Sequence, residues 1–296
     1  MKIFQHISSL LEWRDSIDES ARTVGFVPTM GALHTGHQSL IIQAKKDCDI
    51  VVCSIFVNPA QFNEVDDLIK YPRKPELDSK MLQECGCDVL FMPDSSEIYP
   101  NKSEKPTLEF GNLSSILEAA FRPGHFEGVA QIIDILFSQT RPTKAYFGEK
   151  DFQQLAIVKA YSAVHHPKVQ IIPCPIIRSA DGLALSSRNE LLSLKEKNEA
   201  LVLSKILYMM GELSLKMSPK EVKEWVYDYF ENQSTLDLEY FELVHADSFD
   251  PLLLWDDAGV ALIAAFCGEV RLIDNQRLSP LLKLDLDSEH LQRQIG

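Results

Sequence analysis

FVPTMGALHTGHQSLI, residues 26–41, passes from a short apolar run into a segment whose apolar residues recur at helical spacing. The apolar run is typical of a buried strand, and Leu40 and Ala44 mark one face of the helix that follows. The turn between strand and helix carries two histidines, His34 and His37, around a glycine. A buried strand that leads through a polar turn into a helix is typical of the βαβ unit, which places strands side by side in a parallel sheet.

The same alternation continues to about residue 176. The further predicted strands are 49–57, 87–93, 144–148 and 168–177. The further predicted helices are 75–85, 113–120, 126–139 and 151–164. Because the predicted strands are apolar throughout instead of alternating, both faces of the sheet should be covered by helices. The sequence therefore predicts an α/β fold with a Rossmann-like, doubly wound parallel sheet.

The pattern changes after about Ile177. Two predicted helices and two strand-like runs follow, at 194–213, 220–231, 236–246 and 259–275. This mixture indicates a smaller α+β region. We therefore expect two domains, a Rossmann-like domain over residues 1–176 and a smaller C-terminal α+β domain over residues 177–296.

Charge and composition narrow the class of protein. The chain has 296 residues and a formal net charge of −14, with 29 lysines and arginines against 43 aspartates and glutamates. Such a field repels nucleic acid and anionic membranes. The sequence has no apolar run of the about twenty residues that cross a bilayer, and no signal-peptide core at its start. We expect a cytoplasmic protein that binds neither nucleic acid nor membrane, and whose six scattered cysteines are ordinary thiols.

The two histidines of the turn allow three interpretations. A metal site needs three or four ligands, and no further ligands lie near His34 and His37 in the sequence. A phosphate is better supported, because the N-terminus of a helix presents unpaired N–H groups and a positive dipole end. Gly31 and Gly36 would let the backbone approach such a ligand closely. The third interpretation, that the histidines only cap or pack the turn, stays open on these residues alone.

Two more polar stretches follow predicted strands. GEKD offers Lys150 as a cation for phosphate and Asp151 as a partner for a ribose hydroxyl. LSSRN, residues 185–189, offers two hydroxyls and an arginine, which suit phosphate oxygens. Taken singly, these stretches could equally be a capped helix start and a solvated loop. Since ligands of such sheets bind beyond the carboxyl ends of the strands, we expect the stretches to meet at one site.

Seven motifs lie in order along residues 27–275: VPTMGALHTGHQSLI, SIFVNPAQF, YPR, RPGHFEGV, FGEKDFQQL, RSADGLALSSRN and RLIDN. In order and spacing they resemble the motifs of the pantothenate synthetases, the pantoate–β-alanine ligases. The resemblance covers nearly the whole chain. It is far more specific than the short H-x-G-H motif, which class I aminoacyl-tRNA synthetases and other nucleotidylyl transferases share.

The resemblance implies an enzyme that uses ATP to join (R)-pantoate to β-alanine. Pantoate would first become pantoyl adenylate, and AMP and diphosphate would be released. The resemblance also implies Mg²⁺ that accompanies ATP, a homodimer, and an N-terminal domain that binds nucleotide and pantoate while the C-terminal domain covers the active site.

The resemblance further assigns roles to residues of this sequence. The catalytic residues would be His34, His37 and Lys150. The ATP-binding residues would be Met30, Gly31, Ala32, Leu33, His34, Thr35, Gly36, His37, Gly148, Glu149, Lys150, Asp151, Ile177, Leu185, Ser186, Ser187 and Arg188. The residues that bind pantoate and β-alanine would be Gln61 and Gln154, with Asn58 nearby.

Some residues and functions stay open at this point. Asp66, Asp67 and Asp78 fit either a metal-associated site or a solvated acidic face, and His125 has no role beyond shaping the pocket. A different H-x-G-H nucleotidylyl transferase would need cations for a second phosphate, which the strand-end stretches do not show. A tRNA synthetase is disfavoured by the acidic charge and modest length. A nucleotide-binding regulatory module without turnover is the alternative from another class.

Overall fold

The computed structural model describes residues 1–18, 21–100, 110–255 and 258–278. Contacts between residues divide the chain into two compact units. The first unit comprises Met1–Ile177 and Leu185–Ser187, and the second comprises Arg178–Ala184 and Arg188–Gly296. Residues 279–296, the end of the predicted C-terminal domain, lie outside the described residues. The short segment 185–187 thus returns to the first unit after the chain has entered the second.

The first unit is built on a six-stranded parallel sheet. In chain order its strands are β1 (Lys2–Phe4), β2 (Val24–Thr29), β3 (Ile50–Ile55), β4 (Val89–Phe91), β5 (Lys144–Gly148) and β6 (Gln170–Cys174). Their order across the sheet is β1-β4-β3-β2-β5-β6. Every pairing among these strands is parallel, with Val24 opposite Ile50 at the start of the β2–β3 pair. The predicted parallel sheet is confirmed.

Helices cover both faces of this sheet. They are α1 (Ile7–Asp15), α2 (Thr35–Asp47), α3 (Val65–Lys70), α4 (Pro75–Glu84), α5 (Ser95–Ile98), α6 (Glu118–Phe121), α7 (His125–Thr140) and α8 (Phe152–His165). On one face, Phe26 packs in a core with residues of α1, α7 and α8. On the other face, its neighbour Val27 packs with residues of α2 and α4. Successive strand residues are therefore buried on opposite faces, which is why the strands are apolar throughout.

Several parts of the first unit differ from the prediction. The helix predicted at 113–120 is instead a 3₁₀ turn, Gly111–Ser114, followed by the short α6. Leu117 lies between the two pieces with φ of +51°, outside the right-handed helical region, so one continuous helix cannot form. The strand β1 and the helices α1, α3 and α5 were not predicted. Pieces as short as β1, α3 and α5 give no periodic signal.

The second unit is a smaller α+β structure, as predicted. Its helices and strands are α9 (Leu194–Tyr208), α10 (Met210–Ser214), α11 (Pro219–Asn232), β7 (Asp237–His245), β8 (Gly259–Cys267) and β9 (Val270–Arg277). The strands form one antiparallel sheet in the order β7-β8-β9. Two predicted segments are divided, the helix 194–213 at Met209 and the strand-like run 259–275 into the β8–β9 hairpin. In the described parts of both units, no helix is long and apolar enough to cross a membrane.

The topology of the first sheet fixes where a ligand would bind. The chain runs outward from β2 through β3 to β4, and then crosses to β5 on the other side of β2. The helices that follow these neighbours, α2 after β2 and α8 after β5, therefore pack on opposite faces. In doubly wound sheets, the usual ligand position is at this switch point, here the carboxyl ends of β2 and β5.

Candidate active site

The turn after β2 ends in the paired histidines that begin α2. His34 caps the helix: its Nδ1 accepts a hydrogen bond from the Gly36 N–H at 3.1 Å. The backbone N–H of His34 in turn donates to Nδ1 of His37 at 3.3 Å. The two ring centroids are 4.1 Å apart. Because Nδ1 is the acceptor in each ring, a neutral imidazole at either position carries its hydrogen on Nε2. The cap thus makes both histidines Nε2–H donors.

Gly36 is required for this arrangement of the rings. A Cβ at position 36 would lie 2.8 Å from Cε1 and 2.9 Å from Nδ1 of His34, closer than such atoms approach. The same Cβ would lie 3.9 Å from Cβ of Ile177, so Ile177 stands beside the start of α2. The glycine of the H-x-G-H motif therefore leaves room for the ring of His34.

Lys150 lies close enough to this pair to affect its protonation. Burial, followed by the electrostatic effects of His34 and Lys150, lowers the pKa of His37 to about 3. The Lys150 side chain is only 17% exposed, and its Nζ lies 3.8 Å from a carboxylate oxygen of Asp151. At neutral pH the turns after β2 and β5 therefore place a neutral donor and a fixed cation near each other.

We expect the His37 imidazole to remain neutral from pH 8 down to about pH 4, whereas a free histidine titrates near 6.5. Since the folded-state pKa lies below the unfolded-state value, the unfolded chain binds the extra proton first. The contribution of His37 to the free energy of unfolding is therefore fully present above a pH of about 6.5. It is lost as the pH falls toward 3. NMR of histidine-labelled protein measures this titration, and His37→Gln assigns the resonance. A midpoint near 6.5 would show that the ring is neither desolvated nor close to Lys150.

Gln61 follows β3, in the 3₁₀ turn Pro59–Gln61. The buried amide of Asn58 donates to Oε1 of Gln61 at 3.1 Å and to the Gly128 carbonyl at 3.0 Å. Its Oδ1 accepts from the Ala60 N–H at 3.2 Å and the Tyr99 hydroxyl at 2.8 Å. All four hydrogen-bonding positions of the Asn58 amide are thus used within the protein. Asn58 therefore fixes which end of the Gln61 amide is the donor.

The donor end of Gln61 reaches the turn after β2. Its Nε2 lies 3.0 Å from the sulfur of Met30, a weak acceptor. The backbone carbonyl of Gln61 accepts a hydrogen bond from Nδ1 of His125 at 2.7 Å, and Nε2 of His125 accepts from Arg122 at 3.3 Å. His125, whose role the sequence left open, therefore holds the backbone of Gln61 in place through this hydrogen bond. The sequence signals for His125 were its place in the RPGHFEGV motif and its position after a proline and a glycine.

Gly128 allows α7 to approach the Gln61 turn. A Cβ at this position would lie 2.3 Å from the Ala60 carbonyl oxygen, which no side chain permits. The close approach brings the Gly128 carbonyl within reach of Asn58. No sequence pattern indicates this contact, because residues 60 and 128 are joined only by the fold.

Gln154, the other predicted acid-binding amide, is half-buried in the first turn of α8. Among the described residues it makes no hydrogen bond. The adjacent Gln153 is buried and bonds to the chain around Leu113 and Glu118. Gln153 is therefore a structural residue, whereas the amide of Gln154 has no hydrogen-bond partner among the described residues. No described hydrogen bond joins Gln154 to Gln61.

The remaining predicted ATP residues divide between the two units. Leu185 donates its N–H to the Ile177 carbonyl at 2.9 Å, and Ser187 donates its hydroxyl to the Ala32 carbonyl at 3.0 Å. These residues therefore lie with the turn after β2, whereas Arg188 belongs to the second unit. Gly148 ends β5, and a Cβ there would meet no described atom within 4 Å. The backbone at that strand end is open to close approach. The other residues of this set are buried Gly31 and Leu33, half-buried Ser186 and Glu149, and exposed Thr35.

The acidic residues after Gln61 have different surroundings. Asp66 is exposed and Asp67 is half-buried, both on α3. Asp78 is only 2% exposed and accepts the backbone N–H groups of Ala32 and Leu33, so it is not part of a solvated acidic face. Within the described ranges, no three side chains of His, Cys, Asp or Glu form a group that could hold a metal ion.

The fold is that of an α/β protein with a doubly wound sheet, a class whose ligands bind at the switch point of the sheet. The sequence model described as pantoate-beta-alanine ligase matches residues 2–277. The chain belongs to this family of ligases.

Individual relatives agree with the family assignment. The chain is 44% identical to a pantothenate synthetase of Porphyromonas gingivalis over 277 residues, 93% of this chain and 98% of that protein. The crystal structure of pantothenate synthetase from Thermus thermophilus superposes with a TM-score of 0.88 at 38% identity, covering 95% of this chain and 100% of that one. A pantoate-beta-alanine ligase from Francisella tularensis, complexed with beta-gamma ATP and beta-alanine, gives a TM-score of 0.77 at 34% identity, over 94% and 97% of the two chains.

Proposed function

We propose that this chain condenses (R)-pantoate with β-alanine to form pantothenate, using ATP and passing through pantoyl adenylate. The observation that carries the proposal is that the turns after three neighbouring strands, β2, β3 and β5, place their polar side chains close together. The turn after β2 supplies His34 and His37, the turn after β5 supplies Lys150, and the turn after β3 supplies Gln61, whose amide touches Met30. A phosphate site and a carboxylate site therefore adjoin, as the joining of an acid to ATP requires.

In the first step, a carboxylate oxygen of pantoate attacks the α-phosphorus of ATP. The bond from the α-phosphorus to the bridging oxygen breaks, and diphosphate leaves with the electron pair. The Nε2–H groups of His34 and His37 donate to phosphate oxygens as charge develops on them, and Lys150 balances that charge. Mg²⁺ enters with ATP as part of the substrate and neutralises the phosphates.

Gln61 and Gln154 hold the pantoate carboxylate through amide N–H groups. Neutral amides bind the carboxylate without forming an ion pair, so its oxygen stays nucleophilic. Asn58 acts on the substrate through Gln61, because its own amide is already fully hydrogen-bonded.

In the second step, the amine of β-alanine attacks the acyl carbon of the adenylate. AMP leaves with the electron pair of the acyl–oxygen bond, and the new amide nitrogen loses a proton. β-Alanine is one of the ligands named for the Francisella tularensis structure, which supports the same substrate here.

The other parts of the proposal concern the nucleotide and the whole protein. Asp151 binds the ribose, the Ile177 backbone contacts adenine, and residues 185–187 contribute to the phosphate site. The N-terminal domain, 1–176, binds nucleotide and pantoate, and residues 177–296 form the second domain. The protein acts in the cytoplasm as a homodimer.

An isotope-exchange assay tests the two-step function. We expect labelled diphosphate to enter ATP when the enzyme is given ATP, Mg²⁺ and pantoate without β-alanine, because adenylation is complete and reversible before the amine arrives. Reactions without pantoate, or with β-alanine alone, are the controls. Exchange that strictly required β-alanine would exclude a free adenylate. Binding of ATP without exchange under any combination would favour a regulatory module, and transfer to a phosphorylated acceptor would favour another nucleotidylyl transferase.

A further inference from the structure

The turn that precedes His34 has an unusual backbone. Gly31 and Ala32 follow each other with φ of +83° and +47°, both in the left-handed region. Ala32 is strained there, because its Cβ crowds the following carbonyl. Consecutive backbone N–H groups in such a turn point to one side and form a concave site for an anion. At the phosphate end of an ATP site, a bound phosphate would be the obvious occupant.

The anion in this concavity is a side chain of the protein. Asp78 accepts the N–H of Ala32 at 2.8 Å through Oδ2 and the N–H of Leu33 at 2.7 Å through Oδ1. Its carboxylate is buried, and both oxygens carry short, charge-assisted hydrogen bonds. A Cβ on Gly31 would lie 3.1 Å from Oδ2, so the carboxylate is packed directly against the turn.

We propose that Asp78 is a positioning residue that holds the Gly31–Leu33 turn in its left-handed form and thereby fixes the ring of His34. The inference rests on the proposed function for its kinetic consequence, but not for its geometry. Asp78 acts through the backbone, because its carboxylate occupies the anion site of the turn. The ATP phosphates would then bind at the start of α2 instead of in this turn. Ser187 holds the same turn from its carbonyl side, through Ala32.

Loss of the carboxylate leaves two buried N–H groups without their anion and removes the restraint on strained Ala32. His34 is two residues further along, so its ring moves away from the position needed in the transition state. Displacement by about 1 Å can lower a rate by on the order of 10²-fold. ATP itself still binds through its other contacts, so the ATP KM changes little.

The test compares Asp78→Asn with Asp88→Asn. Asp88 is a fitting control because it also accepts a backbone N–H, that of Val51 at 2.7 Å, but at the amino end of the sheet. In the pantoate-dependent exchange assay, we expect Asp78→Asn to lower kcat roughly 10- to 100-fold with the ATP KM within about threefold, and Asp88→Asn to stay near wild type. In NMR spectra, the amide protons of Ala32 and Leu33 should move upfield and exchange faster in Asp78→Asn only.

Each result decides the proposal. Unchanged amide signals with a normal kcat, or a loss confined to the ATP KM, would overturn the positioning role. If Asp78→Asn does not fold, the wild-type protein provides the measurement, as scalar coupling across the hydrogen bond between the Leu33 amide nitrogen and the Asp78 carboxyl carbon; absence of coupling would overturn the geometry. If the wild type shows no exchange with pantoate, the proposed function fails, while the NMR result still tests Asp78.

Discussion

His37→Ala should lower the rate of pantoyl adenylate formation roughly 10²- to 10³-fold, the typical loss when one pre-organised donor to a developing charge is removed. The ATP dissociation constant should change far less, because negative charge on the transferring phosphate grows only in the transition state. His37 is suited to this role since its pKa of about 3 keeps it neutral, with its hydrogen on Nε2. Single-turnover formation of adenylate, with ATP affinity measured separately, gives both quantities.

His34→Ala should have a similar effect, with a second cause. It removes one Nε2–H donor and also the cap on the Gly36 N–H, so the start of α2 loosens. His166→Ala is the matched control, because His166 is also half-buried and bonded, to Asp134 at 2.8 Å, but lies after α8 at the amino end of the sheet. Near-normal adenylation in either active-site variant would mean that the histidine concerned only packs the turn.

Gln61→Ala should raise the KM for pantoate about 10- to 150-fold, with a much smaller change in the KM for ATP. A hydrogen bond to a charged group contributes about 1.5–3 kcal/mol, and this range sets the expected factor. Gln154→Ala should act in the same direction. Initial rates measured over pantoate and ATP concentrations separate the two constants.

Gln61→Glu should bind pantoate more weakly than Gln61→Ala. Asn58 fixes one end of this side chain as an acceptor, so the glutamate would direct its second oxygen toward the substrate carboxylate. Two negative charges would then face each other in a partly buried site. Gln43→Ala is the control, since Gln43 donates a hydrogen bond to Asp47 near the end of α2, away from the carboxyl ends of the strands. A glutamate variant with wild-type pantoate affinity, or an unchanged pantoate KM in both alanine variants, would remove these residues from the acid site.

The fold was largely predictable because its signals are local. Apolar runs such as residues 50–55 and 144–148 are buried on both faces, and this pattern indicates a parallel sheet before any pairing is known. Errors occurred where local pattern was weak or overridden, as at Leu117, whose positive φ divides a helix that its neighbours favour. Loop residues with strong chemical identity, His34 and Lys150, could also be proposed as phosphate ligands from the sequence, because few residue types suit phosphate at a strand end; these roles stay predictions.

The sequence by itself determined most of the longer elements, their parallel arrangement and the residue types at the strand ends, since each follows from spacing within a few residues. Only the tertiary structure decided which partners those residues have. Asp78 lies 46 residues from Ala32, and Gly128 lies 70 residues from Asn58, yet each pair is hydrogen-bonded. A hydrogen bond requires two atoms within about 3 Å of each other in the folded chain. The spacing of residues along the sequence does not show which distant residues come this close. The tautomers of the two histidines, the orientation of the Gln61 amide and the bracing of the turn by Asp78 were therefore set by the fold alone.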